Sequence, residues 1–357
     1  MPLLDEDPAK INEAEAIRML RYAIDHGVNY LNLGYIYELR QQERLSRLLS
    51  QALQDDYQQK IRIAVNLPSF LINSSRDFDR YLNKQLRWWQ IDRVDFYLLG
   101  GLNRESWPKL QGLDVIRWAE RAMGNGRIDK LGFSFHDHFP ALRGILADYD
   151  NWTLAQFQYS YMDIDHHPGV GGLEYATDKG LAVVATEPLR GGRLTKEPPE
   201  SVAKVWASAS PKHTLAEWGL RWVWDHPEVS TVVSDMSTME QVVENVALAG
   251  SVEPDSLTVP EEVQISRVRD AYRKLSPIPC TSCRGCMPCP RDVDVPRIFE
   301  LYNDAIMYGD AKIARSIYRV EQHRIDNCNE CGACVCGREI NILDWLKTAH
   351  KLLAEHE

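Results

Sequence analysis

Apolar and polar positions along this chain fall into two alternating rhythms. Residues 11–27, INEAEAIRMLRYAIDHG, repeat their apolar positions every three to four residues and stop at Gly27, the pattern of an amphipathic helix. A short apolar run of strand length follows at 30–33 (YLNL). The pair then recurs. QERLSRLLSQAL precedes IRIAVNLP (61–68), RDFDRYLNKQLRWWQ precedes VDFYLLG (94–100), and DVIRWAERAMGNG precedes KLGFSF (130–135). FPALRGILADY leads to TLAQFQYS (153–160), GGLEYATDKG to LAVVATEPL (181–189), and TLAEWGLRWVWDHP to VSTVVS (229–234), with MEQVVENVALAG closing the series. Apolar strands alternating with helices predict a parallel sheet covered on both faces. At this length a (β/α)-barrel is the leading architecture. A doubly wound open sheet is second, because no GxGxxG follows the first strand.

Prolines at 253–260 and 277–279 mark a linker, and the expected division is a barrel over 1–252, a linker over 253–279 and a small domain over 280–357. A chain of 357 residues fits one large domain and one small one. The net charge of −10 removes a general nucleic-acid binder, which needs a basic footprint. No run of 18 apolar residues suggests a membrane span, and MPLLDEDPAK lacks the apolar core of a signal peptide, so a cytoplasmic location is expected. Small-molecule substrates or a redox partner protein remain as partners.

The small domain changes the picture. All eight cysteines lie in it. Cys280, Cys283, Cys286 and Cys289 read CxxCxxCxxC, followed by Pro290; Cys328, Cys331, Cys334 and Cys336 read CxxCxxCxC. Two sets of four thiolates at short gaps suit two cubic iron–sulfur clusters, because a tight loop can present several sulfurs to one cluster. Tetrahedral zinc is the rival, since CxxC pairs bind it too. Adjacent CxxC loops in a chain without an export signal argue against disulfides.

Several segments resemble the aldo-keto reductases, specifically the prokaryotic branch fused to a C-terminal ferredoxin-like domain. They are AIRMLRYAIDHGVNYLN, LPSFL, DRVDFYLLGGLN, LGFSFHD, EPLRGGRL, AEWGLRWVWDHPEVS, MSTMEQVVENV and PIPCTSCRGCMPCP. The resemblance implies a (β/α)8-type TIM barrel with its first strand absent, plus a small α-helical ferredoxin-like domain holding two [4Fe-4S] clusters. For that missing strand three explanations stand, a misassigned start, a partner or another segment filling the gap, or an open barrel, and a misassigned or truncated start is favoured over a neatly closed seven-stranded barrel. The two-cluster ferredoxin pattern has the fourth cysteine of each motif serve the other cluster, which would group Cys280, Cys283 and Cys286 with Cys336, and Cys328, Cys331 and Cys334 with Cys289. Cys336 is the weakest assignment, because its CxC step is two residues shorter than the usual spacing.

The family reduces carbonyls with NADPH through an Asp, Tyr, Lys and His tetrad. By position the Tyr is Tyr37, while Asn32, Asn66 and Gly100 stand at the Asp, Lys and His positions. A phenol is a poor acid at neutral pH unless a neighbouring cation favours its phenolate, so this loss bears directly on activity. The Asp and Lys changes remove one charge of each sign, and an amide pair between Asn32 and Asn66 is expected in place of the ion pair. Ser134, Gln156, Leu189 and Gly191 match positions that hold nicotinamide and pyrophosphate, and Glu244 and Asn245 match the adenine side. Against NADP(H) binding, Asp235 stands where the family usually has Gly, and a carboxylate there repels phosphates. His136 matches a family position on the C-terminal rim, where barrel active sites form, and is either a site residue beside Tyr37 or a structural cap.

The resulting expectation is an iron–sulfur oxidoreductase passing electrons between two clusters and a small molecule or nicotinamide at the barrel mouth. The alternative is a degenerate barrel serving as an electron-transfer or scaffold subunit. Asp163, Asp165, His166 and His167 have metal-ligand types but no metal-site spacing, so a solvated loop is expected. Arg190 and Arg193 either bind an anion or lie on the surface.

Overall fold

The computed structural model describes residues 11–35, 39–321 and 325–355. The chain forms two compact units. One holds the chain up to Gly191 together with Ala216–Leu257; the other holds Gly192–Leu215 and everything from Thr258 onward.

The first unit contains seven strands: β1 (Tyr30–Asn32), β2 (Arg62–Leu67), β3 (Val94–Leu102), β4 (Ile128–Phe135), β5 (Leu154–Gln158), β6 (Ala182–Thr186) and β7 (Val229–Val233). All neighbours pair in parallel and lie in chain order, each joined by helical crossovers. The seven apolar runs of the sequence are therefore all strands. Their helices begin where short polar residues satisfy the free N–H groups of the first turn. Asn12 accepts from the N–H of Glu15 (3.2 Å) and starts the helix Glu13–Asp25. That helix ends before Gly27, whose φ of +103° disfavours a side chain.

The sheet curls into a barrel. Ala64, Leu98, Leu154 and Val184 come from four strands and form one buried cluster, with Tyr30, Phe96 and Val233 packed on it. Residues of β2 and β6 could not share a cluster in a flat sheet. Among the described residues β1 and β7 are not paired, and both are only half-buried, unlike the strands between them. A cavity of about 800 Å³ lies along this seam, lined by Leu31, Val232 and Val233 of the edge strands and by Met19, Ala23 and Val242 of two helices. Two unpaired strand edges are the consequence of a seven-stranded parallel barrel.

The second unit is helical. Val295–Met307, Ala311–Glu321 and Ile342–Leu353 pack around Ile278, Ile298, Phe299, Leu346 and Leu353, and six of the cysteines lie against this core. The sequence expectation needs correction at 253–279. This stretch is not a linker throughout, because Val259–Arg273 is a helix. Pro260 lies in the first turn of this helix, where proline is tolerated because no N–H bond is lost. Glu261 accepts from the Thr258 N–H (2.8 Å), and Gln264 Nε2 donates to the Val205 carbonyl (2.6 Å) of the helix Glu200–Ala207. Gly192–Leu215, expected within the barrel, belongs to this unit as well. Arg193 is buried against Asp304 (2.7 Å) and lies over the Tyr308 ring (5.3 Å).

Candidate functional site

Strand alternation sets the top of the barrel interior. Ala64, Leu98, Leu154 and Val184 face inward, so the residues two positions on, Asn66, Gly100, Gln156 and Thr186, share their face. Ser134 joins them, in register with Gln156. This tier carries no charge.

Asn32 Nδ2 donates to Gln156 Oε1 at 2.6 Å, bridging β1 and β5, and the Tyr30 hydroxyl donates to the same oxygen at 3.4 Å. Asn32 Oδ1 accepts from the Gly34 N–H (2.7 Å). The expected Asn32–Asn66 amide pair therefore does not form. Asn66 Oδ1 is buried without a hydrogen-bond partner among the described residues, while its backbone carbonyl accepts from Gln85 Nε2 (2.7 Å). Gln85 in turn accepts from the buried Tyr97 hydroxyl (3.0 Å). Ser134, 3% exposed, accepts from the Gly101 N–H (2.8 Å).

Gly100 has a steric reason to be glycine. A Cβ built on it would meet the Leu67 carbonyl oxygen at 2.4 Å and Asn66 Cβ at 3.5 Å. The β3–β4 register shifts between Leu99 and Leu102, and Gly101 sits at φ +65°. The Leu67 carbonyl of β2 thus occupies the space of a side chain at position 100, where the family resemblance puts histidine.

Tyr37 lies outside the described residues. His136 is exposed at the end of β4, and its backbone N–H donates to the Leu102 carbonyl (3.0 Å). Three other histidines gather on the loops that follow β4 and β5. The His138 ring lies 5.9 Å from His167 and 6.1 Å from His166. Burial and the two neighbouring imidazoles hold His138 below the ordinary histidine range, against the pull of Asp137. Asp137 accepts a fork from Arg104 (Nε 2.8 Å, Nη2 2.5 Å) and the N–H groups of Arg104 (3.0 Å) and His138 (2.7 Å). Burial alone would raise this carboxyl, but the Arg104 and backbone bonds outweigh it and hold it below the carboxylate range.

The expected solvated loop at 163–167 is corrected at its first residue. Asp163 is 1% exposed and accepts from Arg190 Nη1 (2.8 Å), Gln158 Nε2 (3.1 Å) and the Ser160 hydroxyl (2.5 Å). Arg190 and Arg193 are likewise not surface residues. Each is spent on a buried carboxylate, Asp163 and Asp304 respectively, because a buried guanidinium requires a partner. Spacing gave no hint of these pairs, which join residues far apart in sequence.

The remaining cofactor candidates are scattered. Leu189 packs against Gly219, where an added Cβ would lie 2.6 Å from its Cδ2, and Gly191 sits at φ +63° in the loop after β6. Glu244 is exposed. Asn245, Asn32 and Asp235 border the seam cavity.

In the second unit, Cys280, Cys283, Cys286 and Cys336 line one small cavity, walled by Val295, Phe299 and Ile342. Burial raises the Cys280 thiol and pushes Cys286 up to about 11, while the Gly285 N–H leads the effects that lower Cys283. Burial also raises Cys334. The cavity thus draws three cysteines from the first motif and one, Cys336, from the second. Backbone N–H groups of Ser282 and Arg338 donate to Cys280 and Cys336 (both 3.4 Å), and that of Arg291 to Cys289 (3.5 Å). Among the described residues, no three His, Cys, Asp or Glu converge tightly enough for a single metal ion. No helix among them is long and apolar enough to cross a membrane.

The family model of the aldo/keto reductases matches residues 3–255. Among solved structures, aldo-keto reductase AKR11C1 from Bacillus halodurans in its holo form is 23% identical, with a TM-score of 0.58 over 72% of this chain and 87% of its own. An aldo-keto reductase from Klebsiella pneumoniae in complex with NADPH is 20% identical, with a TM-score of 0.57 over 75% of this chain and 88% of its own. No curated protein matches. With its curled parallel sheet and a family match spanning the barrel, the chain belongs to the aldo/keto reductase family.

Proposed function

We propose that this chain is an iron–sulfur electron-transfer protein whose aldo/keto reductase barrel has lost the family's carbonyl-reducing chemistry. The grouping of four cysteines around one cavity carries the cluster half of the reading. An all-thiolate donor set suits iron–sulfur chemistry, and sulfurs spread around a cavity suit a cubane better than one zinc ion with bonds of about 2.3 Å. Cys280, Cys283, Cys286 and Cys336 would hold one cluster, and Cys328, Cys331, Cys334 and Cys289 the other. Bound clusters supply one-electron transfer; the chain's own residues position the sulfurs, donate N–H groups to them and wall off water with Val295, Phe299 and Ile342.

The uncharged barrel tier carries the other half. A tyrosine acid there would have neither the lysine that lowers its pKa nor the histidine partner, and the Leu67 carbonyl excludes a side chain at position 100. Gln156, the nicotinamide candidate, has its oxygen engaged by Asn32. One observation favours a second reading, in which NADP(H) feeds the clusters: Ser134 and Gln156 remain adjacent in register.

Anaerobic purification followed by iron and sulfide counting, EPR and NADPH titration tests both. About eight irons per chain, with clusters that NADPH neither binds to nor reduces, is the expected result. Reduction by NADPH would establish the second reading. Zinc in place of iron would overturn the cluster assignment.

A further inference from the structure

We infer that Arg338 makes the two clusters unequal, so that an electron entering the pair rests on the one held by Cys280, Cys283, Cys286 and Cys336. The inference rests on the cluster reading above. Arg284 and Arg338 both line the cavity that these four cysteines share. Arg284 is engaged by Asp294 (3.1 Å), so much of its charge is answered locally. Arg338 is exposed and makes no ion pair among the described residues, so its positive charge is left to act on whatever fills the cavity. Its backbone N–H also donates to Cys336, and that of Ser282 to Cys280.

The other foursome is set differently. Among the described residues, backbone N–H groups of Arg291, to Cys289, and of Cys334, to its own sulfur, reach this set. Glu330, between Cys328 and Cys331, is paired with Lys347 at 2.9 Å, so these two charges cancel. Reduction adds one negative charge to a cluster. A nearby cation and N–H groups on the sulfurs both stabilise the reduced form and raise the potential. Electron passage between the two is a plain one-electron exchange: the lower-potential cluster is oxidised, the higher-potential one reduced, and no proton or bond moves.

The experiment is an EPR-monitored dithionite titration of the anaerobically purified full chain, beside Arg338→Gln, Arg338→Lys and Arg291→Gln, each first counted for iron and sulfide. The wild type is expected to show two separate midpoints. Arg338→Gln should lower the higher one by a threefold to tenfold change in equilibrium constant, about 30–60 mV for one electron. Arg338→Lys should restore most of it, and Arg291→Gln should leave it unmoved. The Arg338 effect should shrink at high salt, because an exposed charge is screened. Full clusters whose midpoints ignore Arg338→Gln would overturn the inference and leave the cluster reading standing. A chain that takes up no iron would overturn both.

Discussion

Asn32 and Gln156 are joined across the barrel by a single amide–amide hydrogen bond of 2.6 Å. The family resemblance puts the first at the position of the catalytic Asp and the second at a nicotinamide position. An asparagine at position 32 thus supplies an amide donor that a carboxylate would lack, and it engages the Gln156 oxygen.

Returning the carboxylate alone should therefore harm the protein. In Asn32→Asp the Nδ2 donor is lost, and a carboxylate faces Gln156 Oε1 with Asn66, not lysine, on the neighbouring strand. The new carboxyl should titrate above its unfolded value, so the variant should lose stability as pH rises from about 4 toward 7. A loss of about 1–3 kcal/mol at pH 7, shrinking in acid, is expected in urea titrations. Equal stability of variant and wild type at pH 7 would show that Gln156 turns its amide and the bond matters little.

Gly100 gives a sharper contrast. Gly100→Ala drives a Cβ to 2.4 Å from the Leu67 carbonyl and should cost about 2–3 kcal/mol. Gly144 is exposed within the helix Phe139–Asp148, with nothing within 4 Å of an added Cβ, and Gly144→Ala should stabilise by about 0.5–1 kcal/mol. Thermal melts of the two variants should move in opposite directions. A neutral Gly100→Ala would mean that β2 and β3 separate easily at this point.

Asp137 predicts a pH window. Its folded carboxyl is depressed, so its contribution is present above the unfolded value near 3.9 and is lost as pH falls through the lower folded value. Asp137→Asn should cost about 1.5–3 kcal/mol at pH 7, toward the low end because Arg104 is 42% exposed and partly screened. The gap between variant and wild type should stay flat above pH 5 and close below it. A gap that persists unchanged into strong acid would show that the Arg104 fork contributes shape rather than charge.

The sequence by itself determined the elements and the chemistry types. Seven apolar runs became seven parallel strands because apolar periodicity reports burial directly, and burial is what a two-faced sheet demands. The clustered cysteines were equally legible, being a matter of residue type at short spacing. Three features came only from the tertiary structure. Asn32 chose Gln156 over Asn66 because the curl of the barrel brings β1 opposite β5. Gly100 proved sterically required because the Leu67 carbonyl of β2 lies where its Cβ would stand. Arg190 and Arg193 became buried partners of Asp163 and Asp304, residues 27 and 111 positions away. Each depends on which distant strands and loops meet, and local pattern carries no record of that.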